Sequence, residues 1–400
     1  MMKWDWRMKA DELKDLILQE LLRAPSLSRQ KLLEIHPCRP ASMLNAVNEL
    51  KTAGLVVEPE RSGAKTGRRS PALSLNPELG AFAGLELQPR RLVGILLDGA
   101  GTLLARAALD FPAGITAQAM PGKFRRILAD LDQAAPAWRN RWHGIGFADP
   151  GLVDVEHQKS LRAHNVPGWV DVPVAEWLRE LSGVQPVFLA PAPMTRAFAE
   201  YDARRAADPG SLCLIELDTG IGGAFVKHGK LLLGDSARGM ELGHLVIRPG
   251  GPLCKCGNHG CLEAIAGEHG IRQRIADMIA NKVTTELRVT DSLDDFIARV
   301  RGRDRAAQLL ASEICEAIAS AVTVVVTLLN PGAVVFSGRL SGLGNMLLDT
   351  VRRELNVNCF YGAIEHLRTE ISQLDELAAA AGAALMTRCR ELLPGKPLWF

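Results

Sequence analysis

The hydrophobic positions of the first 75 residues predict three short helices. Leucine and isoleucine recur at intervals of three and four in residues 11–24, which is the spacing of one helical face. Ser28 is placed to cap a short second helix. A third helix is predicted over residues 40–53, and Gly54 follows it as a stop signal. Its apolar residues share one face and are Met43, Ala46, Val47 and Leu50.

Two short strands are predicted after these helices, at residues 55–60 and 70–76. The loop between them, residues 61–69, has four cations and no acidic residue. These cations are Arg61, Lys65, Arg68 and Arg69. Three short helices followed by a basic hairpin are typical of a winged helix-turn-helix domain.

In such a domain the third helix would enter the major groove of DNA. Its polar side carries Ser42, Asn45 and Asn48, whose donors and acceptors suit base edges, and Lys51 is its one cation. We expect the cations of the 61–69 loop to meet phosphates or a narrow minor groove. The alternative is a small helical domain for protein contact, but helix order, loop position and charge together favour DNA binding.

A different pattern begins at about residue 81, where glycine-punctuated strands alternate with helices. Residues 81–98 predict a strand, a turn and a strand, and residues 101–111 a third strand. Residues 211–234 repeat the strand, glycine turn and strand, and residues 317–338 predict a long apolar helix and a buried strand. Two similar halves of this kind predict a duplicated, two-lobed α/β body.

Composition and charge agree with two or three soluble domains. The chain has 400 residues, of which 47% are hydrophobic, and no predicted membrane span or secretion signal, so we expect a cytoplasmic protein with no membrane partner. Residues 1–75 contain 13 lysines and arginines against 9 acidic residues, whereas the remainder contains 34 against 36. A mildly basic first domain on a near-neutral body fits binding of a polyanion.

Three of the eight cysteines lie within eight positions, at Cys254, Cys256 and Cys261. With His244 they would form a Cys₃His set, which is typical of a structural zinc site, and the glycines between them allow tight turns. His259 is a competing ligand, but its spacing to Cys261 makes it the poorer one. Reduced thiols in a loop are the alternative. The other cysteines are scattered, which suits a reducing compartment and argues against a disulfide framework.

The stretch "GMELGHLVI" followed by "GGPLCKCGNHGCLE" closely resembles the signature of the ROK family, which contains bacterial transcriptional repressors and sugar kinases. The resemblance covers essentially the whole chain, and "TGRRSPALSLNPELG" looks like the join between domains in the repressors. It implies a winged helix-turn-helix domain over residues 1–76. It also implies a two-lobed, actin-like and ribonuclease H-like α/β body over residues 81–400, with a zinc loop at 244–261.

The resemblance further implies a sugar pocket. Glu241, His244 and Glu263 match family positions that contact the sugar, and Gly151 and Asn165 fall where the kinases line the same pocket. Carboxylates accept hydrogens from pairs of hydroxyls, and a zinc-bound imidazole can offer its second nitrogen to another hydroxyl. The alternative for the two glutamates is helix capping or plain surface exposure.

The phosphate-binding motif of the kinases is altered in this chain. Family kinases carry Asp-x-Gly-Gly-Thr in the first hairpin, where the bare backbone approaches ATP. The corresponding stretch here has large side chains and a proline, at Glu86, Gln88, Pro89 and Arg90. The second hairpin keeps glycines that resemble the second phosphate loop, at Gly220, Gly222 and Gly223, although a glycine turn is by itself weak evidence of nucleotide binding.

The catalytic base of the kinases is also missing. Their Asn-Asp-x-Asn motif supplies the aspartate that takes the proton from the sugar, and this chain has Pro191, Ala192 and Met194 in place of its three conserved side chains. Asp149 and Asp218 are the carboxylates that could substitute for it.

These observations predict a zinc-containing transcriptional regulator, a repressor of carbohydrate-related genes, whose body is a former kinase used for sensing and oligomerisation. The expected partners are double-stranded operator DNA, a sugar or sugar-derivative effector, and further copies of the chain in a homodimer or homotetramer. One alternative is an ATP-dependent sugar kinase with an added DNA-binding domain. Another is a regulator whose body binds a transport or signalling protein, since loss of Asn-Asp-x-Asn also weakens the case for sugar sensing.

Overall fold

Residues 10–58 and 72–75 form the predicted helices and a small antiparallel sheet. The computed structural model of the chain describes residues 10–58, 72–112, 114–163, 166–205, 210–396 and 398. The first elements are α1 (Ala10–Arg23), β1 (Leu27–Ser28), α2 (Arg29–Ile35), α3 (Pro40–Thr52), β2 (Val56–Val57) and β3 (Ala72–Leu75). The strands pair in the order β1-β3-β2. Ser28 caps α2 as predicted, because its Oγ accepts the amide hydrogen of Lys31 at 3.1 Å.

The core of this small domain, which we call the head, includes two residues from the other end of the chain. The face predicted for α3 is buried, with Val47 fully inaccessible. Leu392 and Leu393 belong to the same apolar cluster. Lys396 Nζ also lies 3.1 Å from Asp15 Oδ2 of α1. The head therefore buries part of its apolar surface against the last described helix.

Residues 81–205 contain a five-stranded sheet and a smaller three-stranded one. Their strands are β4 (Ala81–Gln88), β5 (Arg91–Asp98), β6 (Leu103–Asp110), β7 (Trp142–Asp149), β8 (Leu152–Asp154), β9 (Lys159–Arg162), β10 (Val170–Val172) and β11 (Val187–Pro191). Their helices are α4 (Met120–Ala134), α5 (Val174–Ser182) and α6 (Ala192–Ala203). The large sheet has the order β11-β7-β4-β5-β6. Its β4-β5-β6 pairs are antiparallel, and β7 and β11 add in parallel.

Residues 210–374 contain a second five-stranded sheet. The strands are β12 (Ser211–Leu217), β13 (Ile221–Lys227), β14 (Lys230–Leu231), β15 (Ala333–Ser337) and β16 (Arg368–Ile371). The helices are α7 (Leu262–Ala266), α8 (Glu268–Ala280), α9 (Leu293–Arg301), α10 (Arg305–Leu329), α11 (Asn345–Asn358) and α12 (Tyr361–Ile364). The order β14-β13-β12-β15-β16 has the same succession of antiparallel and parallel pairs as the first sheet. The predicted duplication is confirmed.

The chain divides into two compact units. One contains Met1–Asp208 with Asp375–Trp399, and the other contains Pro209–Leu374. The last helix, α13 (Ala378–Leu392), belongs to the first unit. It packs directly on the first sheet, since a Cβ on Gly84 or Gly146 would lie 1.9 or 2.1 Å from a carbonyl oxygen of α13. This close approach explains the alanine-rich sequence of the helix.

Helix α10 is the longest described helix and the most apolar. By length and composition alone it is the one helix in the described part of the chain that could cross a membrane. Most of its apolar side chains are instead buried in the core of the second unit, including Ile314, Ile318 and Val322. Such burial is typical of the core helix of a globular domain.

Candidate functional site

Four side chains of the second unit converge to form a candidate metal centre. The ligand atoms of His244, Cys254, Cys256 and Cys261 all lie within 4.8 Å of one another. Cys254 Sγ is 3.8 Å from His244 Nδ1, and Cys256 Sγ is 3.7 Å from Cys261 Sγ. The ring of His259 lies elsewhere, with Nδ1 at 3.1 Å from the carbonyl oxygen of Gly251.

Backbone hydrogen bonds shape the loop that carries the three cysteines. The amide of Cys254 donates to Asn258 O at 2.8 Å, and that of Gly257 donates back to Cys254 O at 2.9 Å. Gly257 has φ +94, and Gly260 has φ +76 with room for no side chain, since a Cβ would lie 1.7 Å from Arg248 O. The glycines therefore permit the turns that aim the sulfurs at one point.

The spacing of these atoms fits a tetrahedral ion. An ion that holds sulfur at about 2.3 Å separates its sulfurs by about 3.8 Å, which is close to the distances found here. Burial raises the pKa of the Cys261 thiol to about 12, and a hydrogen bond from the Asn258 amide lowers that of Cys256. A bound cation would favour the thiolate form of all three cysteines. The donor set is that of a soft-ligand site such as zinc.

The two carboxylates implied to bind a ligand lie beside this cluster. Glu263, in the first turn of α7, accepts the amide hydrogen of Ile221 at 2.9 Å through Oε2. Glu241 lies just before the turn that carries His244. The pKa of Glu241 lies above its ordinary value, chiefly because the carboxyl is partly buried. The charge of Glu263 also raises this pKa, whereas His244 lowers it. The structure thus brings Glu241, His244 and Glu263 together, and one oxygen of Glu263 is committed to the turn before β13.

The glycine turn between β12 and β13 is occupied by the protein's own carboxylates. Asp218 Oδ1 accepts the Thr219 amide at 2.8 Å, and Glu263 takes the amide of Ile221. Arg339 binds Asp218 through its backbone amide at 3.1 Å and through Nη2 at 2.6 Å. The same Nη2 reaches Thr219 Oγ1 at 3.0 Å. Two amides of this turn are therefore already used by carboxylates, so a phosphate there would find fewer amide donors than in an open glycine loop.

The first hairpin contains a buried ion pair that the sequence did not reveal. Glu86 on β4 and Arg196 on α6 are 4% and 9% exposed, and Arg196 Nη2 lies 3.1 Å from Glu86 Oε1. Gln88 Nε2 donates to the other oxygen of Glu86 at 3.1 Å. Pro89 and Arg90 form the two-residue turn, since Gln88 pairs with Arg91. The signal in the sequence was an arginine in the largely apolar stretch that forms α6.

No acceptor side chain stands at the altered base positions. Helix α6 begins at Ala192 after Pro191, and Met194 is buried. Asp149 is the strand partner of Pro191, but it is fully buried, and its Oδ1 accepts the Gly151 amide at 2.9 Å. Burial raises the pKa of Asp149 to about 7. An inaccessible carboxyl is poorly placed to take a proton from a ligand.

Gly151 has a structural reason to be glycine. A Cβ there would lie 2.0 Å from the carbonyl oxygen of Arg162, where the β8-β9 hairpin packs against it. It belongs to the first unit, apart in sequence from the ligands of the metal cluster. Asn165 lies outside the described residues.

The head presents the predicted polar face of α3 to solvent. Ser42, Asn45 and Asn48 are exposed, whereas Lys51 Nζ lies 3.0 Å from Glu58 Oε2. Glu58 also pairs with Arg29 of α2. Lys51 is therefore partly neutralised by its own domain. Arg61, Lys65, Arg68 and Arg69 lie outside the described residues.

Sequence reasoning missed one cation beside this face. Arg39 is exposed and stands at the N-cap of α3, immediately before Pro40. In helix-turn-helix domains the N-terminal end of the recognition helix is the part nearest the DNA. The signal in the sequence was a cation directly before a proline at the first position of a helix.

Comparison with known proteins extends over most of the chain. The model of the ROK family matches residues 83–389. The xylose repressor of Caldicellulosiruptor bescii is 25% identical over 93% of this chain and 94% of its own length. The glucokinase of Thermotoga maritima is 31% identical, but over 62% of this chain and 79% of the enzyme.

A solved structure shares the whole architecture. It is a ROK family transcriptional regulator described as a homologue of the E. coli MLC protein, and it covers 95% of this chain and 98% of its own with a TM-score of 0.78 and 23% identity. The predicted fold class, a winged helix-turn-helix domain followed by a two-lobed actin-like body, is confirmed.

Proposed function

This chain belongs to the ROK family, and from that premise we propose that it is a transcriptional repressor of carbohydrate-related genes. The observation that carries the proposal is a head with an exposed polar recognition helix on the same chain as a ROK body. The alignment with a xylose repressor supports it, because that alignment spans 93% of this chain and so takes in the head. If the protein were only a sugar kinase, the presence of the head would need another explanation.

Operator binding is tested by recovering enriched sequences from fragmented genomic DNA with the full-length protein. Asn45→Ala and Asn48→Ala should change which sequences are preferred, because these side chains would contact base edges. Arg68→Ala with Arg69→Ala should weaken binding to all sequences and lower the salt slope by about one unit per lost phosphate contact. Arg126→Ala, an exposed cation of α4, is the matched control. Recovery of no enriched site would refute the repressor assignment.

We propose that the body does not phosphorylate sugars. Three features support this: Ala192 offers no base, the buried Glu86–Arg196 pair lies in the first hairpin, and Asp218 and Glu263 already take amides of the glycine turn. The test is release of ADP across a panel of hexoses and N-acetylhexosamines. Turnover by the wild-type protein would establish the kinase alternative, which the glucokinase relative makes the natural competitor.

We propose zinc as the ion of the Cys₃His cluster, with a structural role. It would be held by His244, Cys254, Cys256 and Cys261, and it would supply the charge that keeps the thiolates together. Elemental analysis of tag-free protein should give about one zinc per chain. His244→Ala should lose the metal and the matched variant His259→Ala should keep it. Equal metal content in the two variants would refute this ligand set.

We propose a sugar or sugar derivative as the effector. Glu241 and the uncommitted oxygen of Glu263 can accept hydroxyl hydrogens, and Nε2 of His244 can reach a further hydroxyl because Nδ1 is directed at the sulfurs. Gly151 and Asn165 remain proposals for the same ligand. Calorimetric titration of a sugar panel against wild type and Glu241→Gln tests this, with Glu365→Gln, an exposed glutamate of the same unit, as control.

The remaining parts of the proposal follow from DNA binding. We place the protein in the cytoplasm, as a homodimer or homotetramer that matches a palindromic operator, with domains at residues 1–76 and 81–400. Light scattering of the purified protein tests the assembly. A monomer that responds only to a transport or signalling protein would favour the alternative in which the body binds a protein.

A further inference from the structure

Arg388 on α13 is a buried charge with one long ion pair. Its side chain is 1% exposed, and within the described residues none of Nε, Nη1 and Nη2 has a hydrogen-bond partner. Asp202 is its ion-pair partner there, with Oδ1 at 3.7 Å from Nη2. That oxygen already accepts from Arg205 Nη1 at 3.1 Å. A guanidinium in this position loses its hydration and gains little in return.

The guanidinium packs against the turn between β5 and β6. A Cβ on Gly101 would lie 2.4 Å from Arg388 Nη1, so a larger residue would displace the arginine. The same turn contacts the segment that connects the head to the first sheet, which we call the connector (residues 76–80). The Gly99 amide donates to Pro77 O at 3.1 Å, and a Cβ on Gly99 would lie 2.3 Å from Asn76 O. The turn thus lies between Arg388 and the connector.

A second route leads from Arg388 to the head along α13. Leu392, one helical turn further on, and Leu393 belong to the apolar core of the head. Leu79 of the connector packs against the same core. A movement of the β5-β6 turn or of α13 that gave the Arg388 guanidinium access to water would therefore reach the connector or the end of α13, which both contact the head.

We propose that Arg388 is a built-in destabilising charge that keeps the attachment of the head marginally stable, so that the head can change its attachment when operator or effector binds. In the attached state the charge is buried with only the long ion pair to Asp202. In the alternative state it is hydrated. The energy difference between the states is reduced by the burial of this one group.

The test replaces the charge by an apolar side chain of similar length in the full chain. Asp202 keeps Arg205 as a partner, so Arg388→Met leaves no carboxylate unpaired. We expect the melting temperature to rise by roughly 3–8 °C. We also expect amide hydrogen exchange in α1, α3 and the connector to slow by about tenfold or more, because the attached state opens less often.

Arg126→Met, which replaces an exposed arginine of α4, is the control for the change from arginine to methionine. Arg126 lies outside the apolar core of the head, so its loss should leave exchange in the head unchanged. Arg388→Leu serves as a second apolar replacement of different shape. If both Arg388 variants melt at or below the wild-type temperature, or if exchange in the head does not slow, Arg388 is an ordinary structural ion-pair residue and the proposal is wrong.

Discussion

The two five-stranded sheets have the same strand order and directions, yet their first hairpins have different chemistry. In the first sheet the hairpin turns through Pro89 and Arg90, and its carboxylate, Glu86, is buried against Arg196. In the second sheet the turn keeps glycine, and its carboxylate, Asp218, pairs with an Arg339 whose side chain is 35% exposed. Both hairpins neutralise a carboxylate with an arginine, but at different depths.

The two sheets keep the same strand order although their turns differ, so the core fixes the strand order, and the chemistry of a turn can change without altering that order. The strand pairs of both sheets are held by buried apolar side chains along the strands. A buried pair and a half-exposed pair of the same chemical type should differ greatly in energy, because burial removes water from both charges. Each of the following changes tests a difference between the two units.

The largest effect is expected at the buried pair. Arg196→Ala should lower the free energy of unfolding by about 3–5 kcal/mol, because Glu86 would stay buried and charged. Arg339→Ala should lower it by at most about 1 kcal/mol, because water can replace the arginine at Asp218. Urea denaturation of both variants measures the contrast. The double change Glu86→Leu with Arg196→Met should return close to wild type, and equal losses in the two single variants would contradict the difference in depth.

The next effect concerns two aspartates with opposite pKa shifts. Burial raises the pKa of Asp149 to about 7, so its stabilising contribution is present below the unfolded pKa and is lost as pH rises towards 7. Asp149→Asn should therefore stabilise the protein at pH 8, by about 2–4 kcal/mol, and have little effect near pH 4.

Asp218 should respond in the opposite direction. Burial raises its pKa, but the hydrogen bond and charge of Arg339 outweigh burial and hold the pKa below its ordinary value. Its contribution is present at neutral pH and is lost as pH falls through the lowered pKa. Asp218→Asn should destabilise at pH 8 and progressively less in acid. Melting temperatures of both variants from pH 4 to 8 provide the measurement, and slopes of the same sign would be inconsistent with these environments.

A smaller effect is expected in the head, whose apolar core includes Leu392 and Leu393. Leu392→Ala should lower the stability of the head by about 2–3 kcal/mol, because it removes buried methyl groups from the core that α13 shares with α1 and α3. Amide exchange should accelerate in the head and stay unchanged in β12 and β15 of the second unit. Unchanged amide exchange in the head would mean that the stability of the head does not depend on Leu392.

The smallest effect is expected at the glycine turn. A Cβ on Gly220 would lie 2.6 Å from Glu263 Oε2, the end of a flexible side chain, so Gly220→Ala should cost under about 1 kcal/mol. Gly243→Ala, whose Cβ would lie 2.3 Å from the Ile221 carbonyl oxygen, is the comparison that should cost more. Denaturation midpoints distinguish them, and the reverse order would show that the backbone here yields more easily than the side chain.

Local patterns in the sequence predicted much of the fold. The bounds of α1 and α3 and the cap at Ser28 follow from periodicity and from the chemistry of helix ends, which act over a few residues. The closeness of His244 to the three cysteines follows from their short spacing. The small β8-β9-β10 sheet carried no comparable pattern.

Contacts between distant residues could not be predicted in this way. Glu86 pairs with Arg196, and Asp218 pairs with Arg339, across more than a hundred positions in the sequence. The residues around each carboxylate do not indicate which arginine it will meet. Likewise, the leucines at 392 and 393 show the apolar spacing of any helix end, and only the fold reveals that they complete the head. The sequence signal for buried charges was an arginine among apolar helix residues, as at Arg196 and Arg388, which are both buried.

The shared core of the head has a consequence for the order of events during synthesis. Ribosomes add about 5–20 residues per second, so Leu392 leaves the exit tunnel roughly 15–60 s after Leu75. Throughout that interval the nascent head lacks two of its core residues. The head, although encoded first, is finished last, so a chain that is released early, or whose body is still folding, has an incomplete head.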